Sequence, residues 1–278
     1  MHTIIPAEYW LYLATGAMAG LLSGMFGVGG GTIIVAIISV IFRQLGFAPE
    51  HVMHIAIGTS LATIVLTSIS SANAHHRQHN VDWMVVIKIA PAIIVGALLG
   101  SVLAAKMHSF GLSLIFAIFV LVIATQLLLK NSSKKITQTY SVEEVAIPHQ
   151  NKYLISAGLI IGTFSSLVGI GGGSLSVPYL MASKWNMRRA IGTSAAIGLP
   201  IALAGTLGYI INGLHVANLP AASLGFTYLP ALIGISFSSI FTATYGAKLA
   251  QKLPIVTLRK LFALLLYLVG FNMLWHLF

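Results

Sequence analysis

The chain contains no cysteine in 278 residues, which excludes disulfides, thiolate nucleophiles and cysteine-based metal sites. It is poor in charge as well: 7% of its residues are Asp, Glu, Lys or Arg, against about 25% in ordinary soluble domains. Acids are the scarcest, namely Glu8, Glu50, Asp82, Glu143 and Glu144. All five fall at a terminus, in a loop or in the polar middle of the chain. A carboxylate relay hidden among membrane spans therefore has no residues to build it, and a divalent-cation permease lacks the oxygen ligands it needs.

What the chain has instead is apolar length. Hydrophobic residues make up 57% and the mean hydropathy is +0.93. Runs such as "LSLIFAIFVLVIATQLLL" (112–129) are long enough to cross ~30 Å of hydrocarbon as helices. The ~10-residue alternating segments of a transmembrane barrel are absent. The composition predicts an all-α, polytopic transmembrane protein whose surroundings are the lipid bilayer of the cell (inner) membrane. "MHTIIPAEYW" carries no Lys or Arg ahead of its apolar run, so a cleaved leader is not expected.

The net charge of +10 raises nucleic acid or anionic lipid as partners. In a multi-span chain, however, basic residues first of all mark cytoplasmic loops, and no nucleic-acid partner is expected. Apolar runs and breakers delimit segments 9–26, 32–45, 52–74, 83–105 and 108–130, then 153–168, 174–183, 188–211, 221–247 and 255–277. When these alternate across the membrane, every Lys and Arg except Arg43 and Lys106 falls on one side. That side is predicted cytoplasmic, with both termini extracytoplasmic.

The order of motifs repeats. "GLLSGMFGVGGG" (20–31) matches "GTFSSLVGIGGG" (162–173), and "AIGTSLA" (56–62) matches "AIGTSAA" (190–196). Farther on, "PAII" (91–94) resembles "PALI" (230–233). The chain thus divides into a first transmembrane repeat (9–130), a cytoplasmic linker (131–152) and a second repeat (153–277). Each repeat crosses an odd number of times, so the two are predicted to be inverted. That is a transporter architecture, with its substrate site near the midplane.

Segment 174–183, about 15 Å long as a helix, is too short to span. The glycine tract before it must then lie at membrane depth, and symmetry predicts the same for the first tract. Each repeat is expected to carry a glycine-broken re-entrant or half-helix pair. A broken helix leaves N–H groups without partners, and its positive end favours an anion. Gly29, Gly30, Gly31, Gly171, Gly172 and Gly173 are therefore expected to line a seat for a small anion, with Thr32 and Ser174 adding hydroxyls at the cap positions. Gly20 with Gly24, and Gly96 with Gly100, read instead as close helix packing. The repeated pairs Thr59/Ser60 and Thr193/Ser194, and Ser23 with Ser165, are further lining candidates; bonds back to their own helices are the alternative.

The doubled glycine turn and the duplicated layout resemble the sulfite exporter TauE/SafE family over residues 9–277. "GIGGGSLSVPYL" follows the family's second-repeat pattern, whereas "GVGGGTIIVAII" has Ala36 where a proline is often found. The first half-helix is accordingly expected to be straighter or longer. The resemblance implies passage of a small organic or inorganic sulfur oxoanion, such as sulfite, thiosulfate or a short sulfonate. It carries over the six tract glycines as the core of the path and leaves the substrate within that class open.

No cofactor and no metal is expected, and no catalysis. Membrane potential is a sufficient drive for anion exit, at about 2.3 kcal/mol per charge per 100 mV. "HHRQH" (75–79) reads as a solvated loop at a span end rather than a metal site, because Arg77 opposes a cation. His54 and Arg43 near the outer face are candidates to greet an emerging anion, with snorkelling as the commoner explanation. A permease for another small anion (carboxylate or inorganic) or for a divalent cation remains an alternative, and an intramembrane serine hydrolase built on Ser23 or Ser165 is a weaker one.

Overall fold

The computed structural model describes residues 7–26, 30–129, 151–183, 185–249 and 255–275. Among the described residues the regular structure is helical apart from one short strand pair. The first half holds α1 (Ala7–Phe26), α2 (Gly31–Gln44), α3 (Val52–His76), α4 (Trp83–Ala105) and α5 (Ser109–Leu129). The second holds α6 (Asn151–Val168), α7 (Gly173–Ala182), α8 (Met187–Gly213), the strands β1 (Ser223–Leu224) and β2 (Thr227–Tyr228), α9 (Leu229–Leu249) and α10 (Ile255–Trp275). Among the described residues, five helices are long and apolar enough to cross a bilayer: α3, α4, α8, α9 and the Ser109–Gln126 part of α5. Helix α6 starts at Asn151, so the last two residues assigned to the linker are helical; 131–150 lie outside the described residues.

Local chemistry explains where the helices begin. The Asp82 carboxylate accepts the Met84 and Val85 N–H groups at 3.1 and 3.3 Å and caps α4. The Asn186 side chain accepts the Arg188 N–H and caps α8. Pro91, Pro178 and Pro200 lie inside helices, as a membrane tolerates when neighbouring groups re-satisfy the freed carbonyls.

The centre is a crossing of α3 and α8. Gly58 lies against Tyr209, Leu61 against Gly205 and Ser68 against Gly198, so the residue numbers run in opposite directions and the two helices are antiparallel. The hydrophobic window of α3 is 83% buried, which suits a helix that is apolar all round. Two glycine seams flank this core. Gly16, Gly20 and Gly24 of α1 face the backbone of Ile235, Ser239 and Ala243 on α9, while Gly96 and Gly100 of α4 face Leu159 and Thr163 on α6. A methyl at any of these five positions would collide with the facing backbone, so these glycines act through close helix approach. In both seams the numbers rise together, and the paired helices are parallel. Outside the core, Ile233, Phe237, Phe241 and Leu268 are each at least 60% exposed. Such an apolar surface is stable against hydrocarbon, not water.

The segment expected to be continuous over 221–247 is not. Ser223 pairs with Tyr228 and Leu224 with Thr227, and α9 begins only at Leu229. Ala222 and Gly225 have positive φ, 65° and 54°, which a helix excludes. The turn packs inward: Phe226 stacks on His54 with ring centroids 5.0 Å apart.

Candidate functional site

Both glycine tracts lead into the short helices, α2 of 14 residues and α7 of 10. The α2 helix lacks the internal proline that α7 has at Pro178 and is the longer of the two. Gly30 is the N-cap of α2 in the left-handed region (φ 67°, ψ −5°), whereas Gly172, the N-cap of α7, is right-handed (φ −55°). In the second tract the left-handed residue is Gly169, at φ 75°. The two turns therefore do not share one backbone conformation.

The tracts meet. A Cβ on Gly31 would lie 2.5 Å from the Gly169 carbonyl oxygen and 2.9 Å from the Ile170 Cα. Only glycine permits that approach. Ser60, on α3, fastens the junction by donating to the Gly169 carbonyl at 2.8 Å, with the Gly31 carbonyl at 3.4 Å. Gly30, Gly31, Thr32, Gly171, Gly172, Gly173 and Ser174 are all buried; Gly29 lies outside the described residues.

Thr32 and Ser174 are not caps. Each is the second residue of its helix, behind a glycine N-cap with no side-chain bond. The first intrahelical bonds, from Ile33 and Ile34 to the Gly30 carbonyl and from Leu175 and Ser176 to the Gly172 carbonyl, lie beyond the N–H groups of Gly31, Thr32, Gly173 and Ser174. The Thr32 and Ser174 hydroxyls are buried with no hydrogen-bond partner, and so are those of Ser165, Ser166, Ser176 and Ser194. Buried hydroxyls normally find a partner, so these unpartnered ones stand out as donors still available. The surroundings are mixed: Ile57 and Val35 flank Gly169, while Ile197 and Ile201 share the Gly172 side with Ser176.

The repeated Thr–Ser pairs divide by role. The Thr59 hydroxyl accepts the Tyr228 N–H at 2.9 Å, just before α9, and the Thr193 hydroxyl accepts the Asp82 N–H at 3.0 Å, just before α4. Each threonine therefore has a fixed partner at the entry of a helix from the other half. Ser60 is committed to the junction, whereas its counterpart Ser194 is free. Ser23 is buried on α1. Sequence reasoning missed Ser166 and Ser176; the latter lies two residues beyond Ser174, and its Oγ is 2.8 Å from where a Gly172 Cβ would be.

The histidines also differ from expectation. His75 is buried inside α3, with its Nε2 3.1 Å from the Gly24 carbonyl, so "HHRQH" begins as a helix-packing element rather than a solvated loop. His76 accepts the Trp83 indole N–H. His54 is 4% exposed with its Nε2 3.1 Å from the carbonyls of Ala104 and Met107. A ring held so deeply packs α3 against the end of α4. Asp82 forms an ion pair with Arg189 in addition to its cap, tying the entry of α4 to α8.

The family described as sulfite exporter TauE/SafE matches residues 12–273, a span that includes both glycine turns and the α3/α8 crossing. The chain belongs to this family. A probable membrane transporter protein of Haemophilus influenzae is 37% identical over 263 residues, covering 95% of this chain and 97% of its own. One of Methanocaldococcus jannaschii is 28% identical, with 95% and 94% covered. Another, YunE of Bacillus subtilis, is 25% identical, with 97% and 98% covered. No solved structure matches the chain. Family, relatives and apolar helices agree on a multi-pass membrane transporter.

Proposed function

We propose that the protein passes a small sulfur oxoanion, such as sulfite, thiosulfate or a short sulfonate, across the cell membrane, seated where the two glycine turns meet. The observation that carries this reading is the set of buried, unpartnered hydroxyls of Thr32, Ser174 and Ser176 in the first turns of two helices whose first N–H groups have no intrahelical acceptor, with the unpartnered Ser194 of α8 as a further candidate. Donors without a fixed cation suit a weakly held anion that must leave again. The two halves are mounted in opposite senses: the antiparallel α3 and α8, and the exchanged parallel pairs α1/α9 and α4/α6, support that arrangement. The Lys- and Arg-rich side is cytoplasmic, and the membrane potential drives the anion outward.

The test is flux in proteoliposomes. Purified protein should move sulfite, thiosulfate or sulfoacetate faster than sulfate or chloride, and an imposed inside-negative potential should accelerate exit. Flux of a carboxylate alone would replace the sulfur anion by another small anion. Flux that ignores the imposed potential would remove the proposed drive.

A further inference from the structure

We infer that an open cavity of about 360 Å³ between α3 and α9, lined by Ser70, Asn73, Arg77, Gln78, Thr244 and Lys248, is an oxoanion-binding vestibule separate from the glycine junction. Its volume lies within the roughly 300–1,000 Å³ of ligand pockets, with room for a small oxoanion and part of its hydration shell. Two cations line it and no carboxylate does. Among the described residues the one ion pair is Arg189 with Asp82, so neither Arg77 nor Lys248 is neutralised by an acid there. The guanidinium fork of Arg77 matches two oxygens of an oxoanion, and the Lys248 ammonium adds a point charge. The two come from different helices, with the amides of Asn73 and Gln78 as extra donors. The wall between them is fixed: the Ser70 hydroxyl donates to the Ile240 carbonyl at 2.8 Å and lies 3.2 Å from the Thr244 hydroxyl.

Polar residues of α3 continue from the cavity toward the junction. Next to Ser70 in the chain, the Ser71 hydroxyl is buried without a partner. Three residues before Ser71, Ser68 lies opposite Gly198, whose Cβ position is 2.8 Å from the Ser68 Oγ and 3.8 Å from the Gly172 nitrogen. Residues three apart share a helix face, so Ser71 and Ser68 place two hydroxyls on α3 between the vestibule and the second glycine turn. Its role as the loading step rests on the function proposed above; the binding itself does not.

The experiment uses the absence of cysteine. Asn73→Cys, and separately Gln78→Cys, places a single thiol at the cavity in the purified full chain in detergent. Modification rates are measured with an anionic (sulfonatoethyl) and a cationic (trimethylammonioethyl) methanethiosulfonate at low salt, with sulfate as the competing probe. Relative to a small free thiol, the anionic reagent should be favoured several-fold, and millimolar sulfate should slow both reagents. Adding Arg77→Gln and Lys248→Gln should return the rate ratio to that of the free thiol and abolish sulfate protection. Free-thiol behaviour with both cations present overturns the inference. So does a preference that survives their removal, since the field would then come from the basic surface at large. Because no flux enters the readout, failed transport with intact protection refutes only the proposed function, and normal transport without protection refutes only the vestibule.

Discussion

A single added methyl tests whether the glycine turns work as one structure. In Gly31→Ala the new carbon would lie 2.5 Å from the Gly169 carbonyl oxygen, 2.7 Å from the Ile64 Cδ1 and 2.9 Å from the Ile170 Cα. Comfortable separations are about 3.5 Å or more, and two of the three obstacles are backbone, so the turns must part by about 1 Å. Overpacking of this kind costs about 1–3 kcal/mol. Parting the turns also stretches the 2.8 Å Ser60–Gly169 bond past hydrogen-bonding range, a further loss of about 1 kcal/mol. The expected total is roughly 2–4 kcal/mol. In Gly172→Ala the methyl meets the Ser176 Oγ at 2.8 Å and two isoleucine side-chain carbons at 3.1 Å. A hydroxyl can rotate away, the backbone (φ −55°) accepts alanine, and the cost should stay below about 1 kcal/mol. Denaturant unfolding in mixed lipid–detergent micelles compares the two variants, and proteoliposome flux follows each. Gly31→Ala should be clearly destabilised. Gly172→Ala should stay folded but lose about tenfold in flux, some 1.4 kcal/mol of barrier, because its methyl takes the space beside Ser176 and the free N–H groups. Equal stability of the two variants would refute the reasoning about the junction. Full flux through Gly172→Ala would remove that turn from the path.

Other substitutions probe separate parts. Ser60→Ala should lose about 1–3 kcal/mol, because the Gly169 carbonyl is left buried without its donor; an unchanged unfolding midpoint contradicts this. Thr59→Val and Thr193→Val should each cost about 1 kcal/mol, additively because they sit at opposite ends of the α3/α8 crossing and share no partner, with the anion preference of the flux unaltered; a changed preference would put them in the lining. Asp82→Asn keeps a capping side chain but loses the Arg189 pair, so its stability should fall by less than that of Asp82→Ala, which loses both. Ser194→Ala should leave stability near wild type while weakening flux, since its hydroxyl has no protein partner to lose; strong destabilisation would show a structural role instead.

Much was legible from residue order alone. The scarcity of charge and the long apolar runs required helices in lipid, and the doubled motifs located both broken helices. The Gly20/Gly24 and Gly96/Gly100 spacing led directly to the helix seams. Elsewhere the pattern misled for identifiable reasons. Residues 221–228 are apolar enough to join a span, but positive φ at Ala222 and Gly225 turns them into a strand pair that hydropathy does not register. The partners of Thr59 and Thr193, the Tyr228 and Asp82 N–H groups, are likewise not readable from the repeated motif. His75 looked like part of a solvated loop because its neighbours are polar, but helical periodicity turns it inward to the Gly24 carbonyl.

The sequence by itself determined the solvent, the helical class and the places where helices must break, because a backbone in hydrocarbon has to satisfy its own hydrogen bonds. Which hydroxyls are free and which are committed was decided only by the tertiary structure. A serine's partner is set by a carbonyl more than a hundred positions away, as Ser60 and Gly169 show, and local pattern carries no information about contacts of that range. The pairing of Arg77 with Lys248 around one cavity likewise exists only once α3 and α9 are packed side by side.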